Sequence, residues 1–358
     1  MKFRPKAKEQ RSEQARQPAV PKLTVGQPCE GARLDPEVAA LFALATIRPP
    51  RLPSQIDAAR KAHEATAKWS CVATPAAAEE WVCLPGPGGS LRARVFWPFR
   101  RRRPVVPVIV YFHGGGYALG SPDSLAHVTR ALCRCSQSVV VSVDYRLAPE
   151  HPFPAAIEDG FAATRWVHEH AAELGADPDS LFVAGDSAGG NAAAAVALML
   201  RDAGQPILAG IALLCPWLDM SLSSPSYRKY VSNDPVVDDA STRLLRDLYL
   251  RGESVMHPLV SPIHASLAGL PPTYLAVGEA DPLRDDGTVF AERLRAAGVR
   301  AVLEVHAAMP HEFVCVPFVE AAGRALKGVA SFVHEGAPEK VHPGSLQPRP
   351  VGEEESAS

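Results

Sequence analysis

The chain has 358 residues, 47% of them apolar, with 37 basic side chains against 39 acidic ones for a formal charge of −2. That is apolar material for one large core, or a core with a small lid, and the near-balanced charge supplies no field to hold nucleic acid or an anionic membrane. The seven cysteines are odd in number and scattered, which fits reduced thiols in a cytoplasmic protein, and Cys133 and Cys135 lack a second pair at zinc spacing, so no metal is expected.

Residues 1–25 carry Lys2, Arg4, Lys6, Lys8, Arg11 and Arg16 without the apolar run a signal peptide needs, and are expected to be a disordered tail. Nothing further along approaches the apolar length of a membrane span. From 26 to 78, short helical patterns (Pro36 to Ala45, Gln55 to Trp69) alternate with breaks such as Arg48-Pro49-Pro50-Arg51-Leu52-Pro53, which predicts a helical segment lying over a larger domain. From residue 79 the pattern changes to β-rich runs at 80–84, 91–97, 105–112, 138–144, 181–184, 207–214, 273–277 and 301–306, separated by helical stretches. This predicts an α/β domain over 79–335, a mostly parallel eight-stranded sheet flanked by helices. The run Arg100-Arg101-Arg102-Arg103 falls between two strands and reads as a solvated hairpin turn. Residues 336–358 are polar, Pro-rich and expected to be unstructured.

In such sheets the loops beyond the strands' carboxyl ends hold the ligand, so they carry the chemistry. After 181–184 comes Gly185-Asp186-Ser187-Ala188-Gly189-Gly190, which fits a Gly-x-Ser-x-Gly nucleophile elbow: glycines allow the reversal from strand to helix and leave the serine strained and exposed. After 105–112 comes His113-Gly114-Gly115-Gly116, a loop whose amides can join that of Ala188 around a developing oxyanion, with His113 as its brace rather than a base. After 273–277 comes Asp281-Pro282, an acid fixed at a strand end. Asp219, beyond the strand 207–214, competes with it, and Asp285 or Asp286 suits the N-cap of the helix that follows. After 301–306 stands His311 in a loop that would face Ser187, while His306 reads as structural. The chain order Ser187, Asp281, His311 is that of the α/β-hydrolases and not that of chymotrypsin or subtilisin.

On these residues, together with the block Asp144-Tyr145-Arg146-Leu147-Ala148-Pro149-Glu150-His151-Pro152-Phe153-Pro154-Ala155-Ala156 and Asp281-Pro-Leu-Arg-Asp285, the chain resembles the hormone-sensitive-lipase-like esterases, the bacterial family IV carboxylesterases. The resemblance runs from about Glu79 to Glu335. It implies a triad of Ser187, Asp281 and His311, oxyanion amides at Gly115, Gly116 and Ala188, no cofactor, and a small-molecule ester of short to medium acyl chain as substrate. The helices of 26–78 and an insert over 219–258 would form a cap, with Phe42, Tyr117, Leu119 and Trp217 as pocket walls. The block 144–156 would brace the sheet edge below the site, making Tyr145, Arg146, Glu158 and Asp159 structural. Monomer and homodimer both fit. The same fold also serves specialised deacetylases and amidases, and non-catalytic receptors, which tend to lose the histidine retained here as His311. The family usually has glycine directly after that histidine, where this chain has Glu312; its carboxylate either points into solvent or lies beside the imidazole.

Overall fold

The computed structural model describes residues 34–36, 38, 40, 53–67, 78–99 and 105–336. Both expected tails, Phe42, most of the 26–78 segment and Arg100–Arg103 lie outside the described residues. Eight strands form one sheet: β1 (Glu79–Gly86), β2 (Gly89–Phe96), β3 (Val106–Phe112), β4 (Val139–Asp144), β5 (Ala176–Asp186), β6 (Gly210–Leu214), β7 (Thr273–Gly278) and β8 (Ala301–His306), in the order β1-β2-β4-β3-β5-β6-β7-β8. Only the β1–β2 and β2–β4 pairings are antiparallel. β4 lies between β2 and β3 in the sheet, so these two consecutive strands do not pair with each other.

The helices are α1 (Ile56–Ala67), α2 (Ala126–Ser136), α3 (Ala155–Glu169), α4 (Ala188–Asp202), α5 (Pro225–Tyr230), α6 (Asp239–Leu250), α7 (Arg284–Ala296) and α8 (Glu320–Gly336). The central strands are covered on both faces, which is why their sequences are continuous apolar runs instead of alternating ones. Val108, Val110 and Phe112 join one core cluster with residues of α3, α4 and α7, whereas Ile109 and Tyr111 join another with residues of α2 and α8. Among the described residues no helix is long and apolar enough to cross a membrane.

Register brings the strand ends level. Phe112 pairs with Gly185, Asp186 with Leu214, and Gly278 with His306, so the loops after β3, β5, β6, β7 and β8 leave the sheet on one rim. The insert between β6 and β7 contributes α5 and α6 beside that rim.

Candidate active site

The turn from β5 into α4 puts Ser187 at φ 52° and ψ −118°, a strained conformation for a residue with a Cβ. Its backbone is fixed on both sides: Ser187 N donates to Leu214 O at 2.9 Å, and Ser187 O accepts from Asn191 N at 3.1 Å and Trp217 N at 3.0 Å. The glycines answer a packing demand. A Cβ at Gly185 would overlap the Gly189 carbonyl, and one at Gly189 would overlap that of Phe112.

His311 Nε2 lies 2.9 Å from Ser187 Oγ, and its Nδ1 lies 3.0 and 3.1 Å from the two oxygens of Asp281. Ser187 is 7% exposed, His311 2% and Asp281 0%. Asp281 Oδ1 also accepts from Leu283 N at 2.7 Å, which fixes the acid. Burial works against the imidazolium, but the carboxylates of Asp281, Glu312 and Asp234 outweigh it and raise the His311 pKa above the ordinary imidazole range.

Asp219 stands apart from this trio. Its Oδ1 accepts from Ser221 N at 2.8 Å and lies 3.7 Å from His264 Nε2. The N-cap expected at Asp285 or Asp286 is also corrected: α7 begins after Leu283 without a side-chain cap. Both acids are drawn across to other elements, Asp285 accepting from Ser226 N at 2.8 Å and Asp286 from the amides of Leu218 and Asp219, each at 2.9 Å.

Opposite the serine, the loop after β3 turns through Gly115 at φ 115° and Gly116 at φ 62°, with Gly115 O accepting from Leu119 N at 2.9 Å. Among the described residues, the amides of Gly115, Gly116 and Ala188 have no hydrogen-bond acceptor. His113 is the brace expected: Nδ1 lies 2.8 Å from Gly114 O, and its ring stacks on Tyr145 at 4.2 Å. Burial lowers its pKa to about 4, so it stays neutral. Tyr145 Oη donates to His113 O at 2.6 Å, and Arg146 grips Asp159 at 2.8 to 3.0 Å. Because β4 is an interior strand, the block 144–156 supports the glycine loop and not a sheet edge.

Tyr117, Leu119 and Trp217 are the expected pocket walls, and Tyr117 packs inward. It is wholly buried, its hydroxyl donates to Asn191 Oδ1 at 2.7 Å, and its ring stacks on Tyr249 of α6 at 3.8 Å. Leu119 and Trp217 are also buried, the indole donating to Asp219 O at 3.1 Å. Leu245 of α6 closes over the glycine loop, where a Cβ at Gly116 would come 2.7 Å from its Cδ1.

Three carboxylates join the site, of which only Glu312 is singled out in the sequence. Glu312, at φ 59°, turns inward: its side chain is 14% exposed, with Oε1 3.8 Å from His311 Nε2 and Oε2 2.7 Å from the Cys315 thiol. Of the two arrangements open in the sequence, the solvent-facing one is excluded. Asp186, beside Ser187, accepts from Tyr111 Oη at 2.6 Å and Gly114 N at 2.9 Å. Asp234, in the insert, accepts from His311 N at 3.0 Å through Oδ2 and from Val236 and Val237 amides at 2.8 Å through Oδ1. The turn signal Asn233-Asp234-Pro235 could have marked the loop, but nothing local ties it to a histidine far along the chain.

Fold and rim together define a hydrolase of the α/β class. The chain belongs to the alpha/beta hydrolase fold family whose model matches residues 109–315, and the likeness to hormone-sensitive-lipase-like esterases read from the motifs stands with it. It is 43% identical over 254 residues to carboxylesterase NlhH of Mycobacterium tuberculosis, covering 67% of this chain and 78% of that one. Esterase LipI of the same organism is 40% identical over 263 residues, covering 71% and 82% respectively. A solved hyperthermophilic esterase from the archaeon Pyrobaculum calidifontis superposes with a TM-score of 0.80 at 35% identity, covering 85% of this chain and 100% of that one.

Proposed function

We propose that this protein is a serine carboxylesterase in which Ser187 attacks the ester carbonyl, His311 takes its proton, and Asp281 holds the imidazole in the productive tautomer. The observation that carries the reading is the continuous chain from Ser187 Oγ through His311 Nε2 and Nδ1 to Asp281, at 2.9 and 3.0 Å. The amides of Gly115, Gly116 and Ala188 receive the oxyanion, the protonated His311 delivers its proton to the leaving alcohol, and water then cleaves the acyl-enzyme by the same route. Leu245 packs over the glycine loop beside the Tyr117–Tyr249 stack, which supports a preference for short or medium acyl chains. The free thiols of Cys83, Cys133, Cys135, Cys215 and Cys315 suit a reducing, cytoplasmic setting.

A chromogenic short-chain ester tests the reading. An initial burst of chromophore is expected from acyl-enzyme formation, and Ser187→Ala should lose on the order of 10⁶ in kcat with the fold retained. Near-normal turnover by Ser187→Ala would overturn the assignment, and failure of the wild-type protein to release chromophore would favour a non-catalytic binding role.

A further inference from the structure

Glu312 lies beneath the glycine loop, where a Cβ at Gly114 would come 2.7 Å from its Oε1. There it meets Asp186, and the acidic oxygens of the two and the Cys315 sulfur all lie within 4.8 Å of one another. Asp186 is buried and Glu312 only partly exposed, and two carboxyls this close oppose each other's ionisation, which favours a pair that keeps one proton. Asp186 is the partner that holds it, since burial and then the neighbouring Glu312 charge push its pKa well above the carboxylate range. Asp186 also accepts from Tyr111 and Gly114, which ties the pair to the glycine loop.

The negative charge left on Glu312 has one cationic partner among the described groups that face it. Tyr111 approaches from β3, Tyr145 from the end of β4, Cys215 from the end of β6 and Cys315 from its own loop; burial first, and then the acidic neighbours, raise the pKa of each of these groups. His63 approaches from α1, and burial lowers its pKa to about 4, so it is neutral near pH 7. What remains is His311, whose Nε2 lies 3.8 Å away and whose other carboxylate neighbours are Asp281 and Asp234.

We infer that Glu312 is a specificity residue: it holds one negative charge beside the nitrogen that hands the proton to the leaving group, and so selects neutral esters over esters whose leaving group carries a carboxylate. The inference rests on the triad reading, because only then is His311 Nε2 the atom facing the departing oxygen. Anionic leaving groups meet like-charge repulsion as they depart, while the imidazolium formed during attack is stabilised by the same carboxylate.

The test compares 4-carbamoylphenyl butyrate with 4-carboxyphenyl butyrate, near-isosteres that differ in charge, on the wild-type protein, Glu312→Gln and Glu312→Gly. Glutamine keeps the shape, and glycine suits φ 59°. The neutral-to-anionic ratio of kcat/KM should fall about tenfold in both variants, as one charge acting across a partly solvated site implies. Losing a carboxylate destabilises the imidazolium and lowers its pKa, so the acid limb for the neutral ester should move down by about one pH unit. An unchanged ratio with superimposable limbs would overturn the inference. NMR titration of the low-field Nδ1 proton of His311 in wild type and Glu312→Gln reads the same charge without turnover. If the wild-type protein cleaved neither ester, the esterase reading would fail, and this titration would still decide whether Glu312 bears on His311.

Discussion

At the scale of single residues, the two candidate acids differ in what they hold. Asp281 is fully buried and grips His311 Nδ1 with both oxygens, whereas Asp219 closes a turn on Ser221. Asp281→Asn should therefore cost roughly 10⁴ in kcat by presenting the wrong tautomer, while Asp219→Asn should leave kcat within a few-fold. Steady-state rates on one neutral ester measure both, and the reverse ranking would move the acid to the other loop. Asp281, His311 and Ser187 were legible because each stands in a loop after a recognisable strand. The direction of Glu312 was not legible, because it depends on a left-handed backbone at φ 59° that a glutamate does not advertise.

At the scale of elements, the fit between β5 and α4 decides whether Ser187, the proposed nucleophile, is presented at all. The Gly189 position faces the Phe112 carbonyl, and a methyl there would push the helix away from the end of β3, the strand that leads into the glycine loop. Gly189→Ala is thus expected to lower the unfolding free energy by about 1–3 kcal/mol and to remove most activity. Thermal denaturation with rate measurement checks this, and a variant of normal Tm and rate would mean that the helix yields without disturbing the site. Strand positions followed from the apolar runs, yet β5 starts at Ala176, well before the apolar run at 181–184. Polar Asp177, Asp179 and Ser180 hid that extension, and the pairing of Ala176 with Val106 supplies it. β6 is shorter than expected, starting at Gly210, because Ile207 N is taken by a local bond to Gln205 O. Acids at the start of α7 looked like caps, but their partners come from other elements, which no local pattern encodes.

At the scale of the whole molecule, the insert between β6 and β7 touches both halves of the rim. Leu245 rests against Gly116 on the oxyanion side, and Asp234 holds the His311 amide on the base side. Such a bridge makes Asp234 a positioning residue: it touches no reacting atom but fixes the backbone that carries His311. Asp234→Asn turns one acceptor into a donor, and whichever way the amide sits, it cannot accept from the His311 amide and from Val236 and Val237 together. The histidine loop should loosen, and kcat should fall on the order of tenfold with KM little changed, since misplacement of the base acts on the chemical step. The pH dependence of stability supplies an independent reading. Burial, and then the Asp281 charge, raise the Asp234 pKa from 3.8 to about 6, so between these values the folded state binds more protons than the unfolded state. Stability from this group is accordingly present below pH 3.8 and lost as pH rises through about 6. Asparagine does not titrate, so the Tm of wild type minus that of Asp234→Asn should decrease between pH 4 and pH 7. A Tm difference independent of pH would show that Asp234 is not buried against its own charge, and a kcat equal to wild type would show that the insert and the histidine loop are not coupled through it.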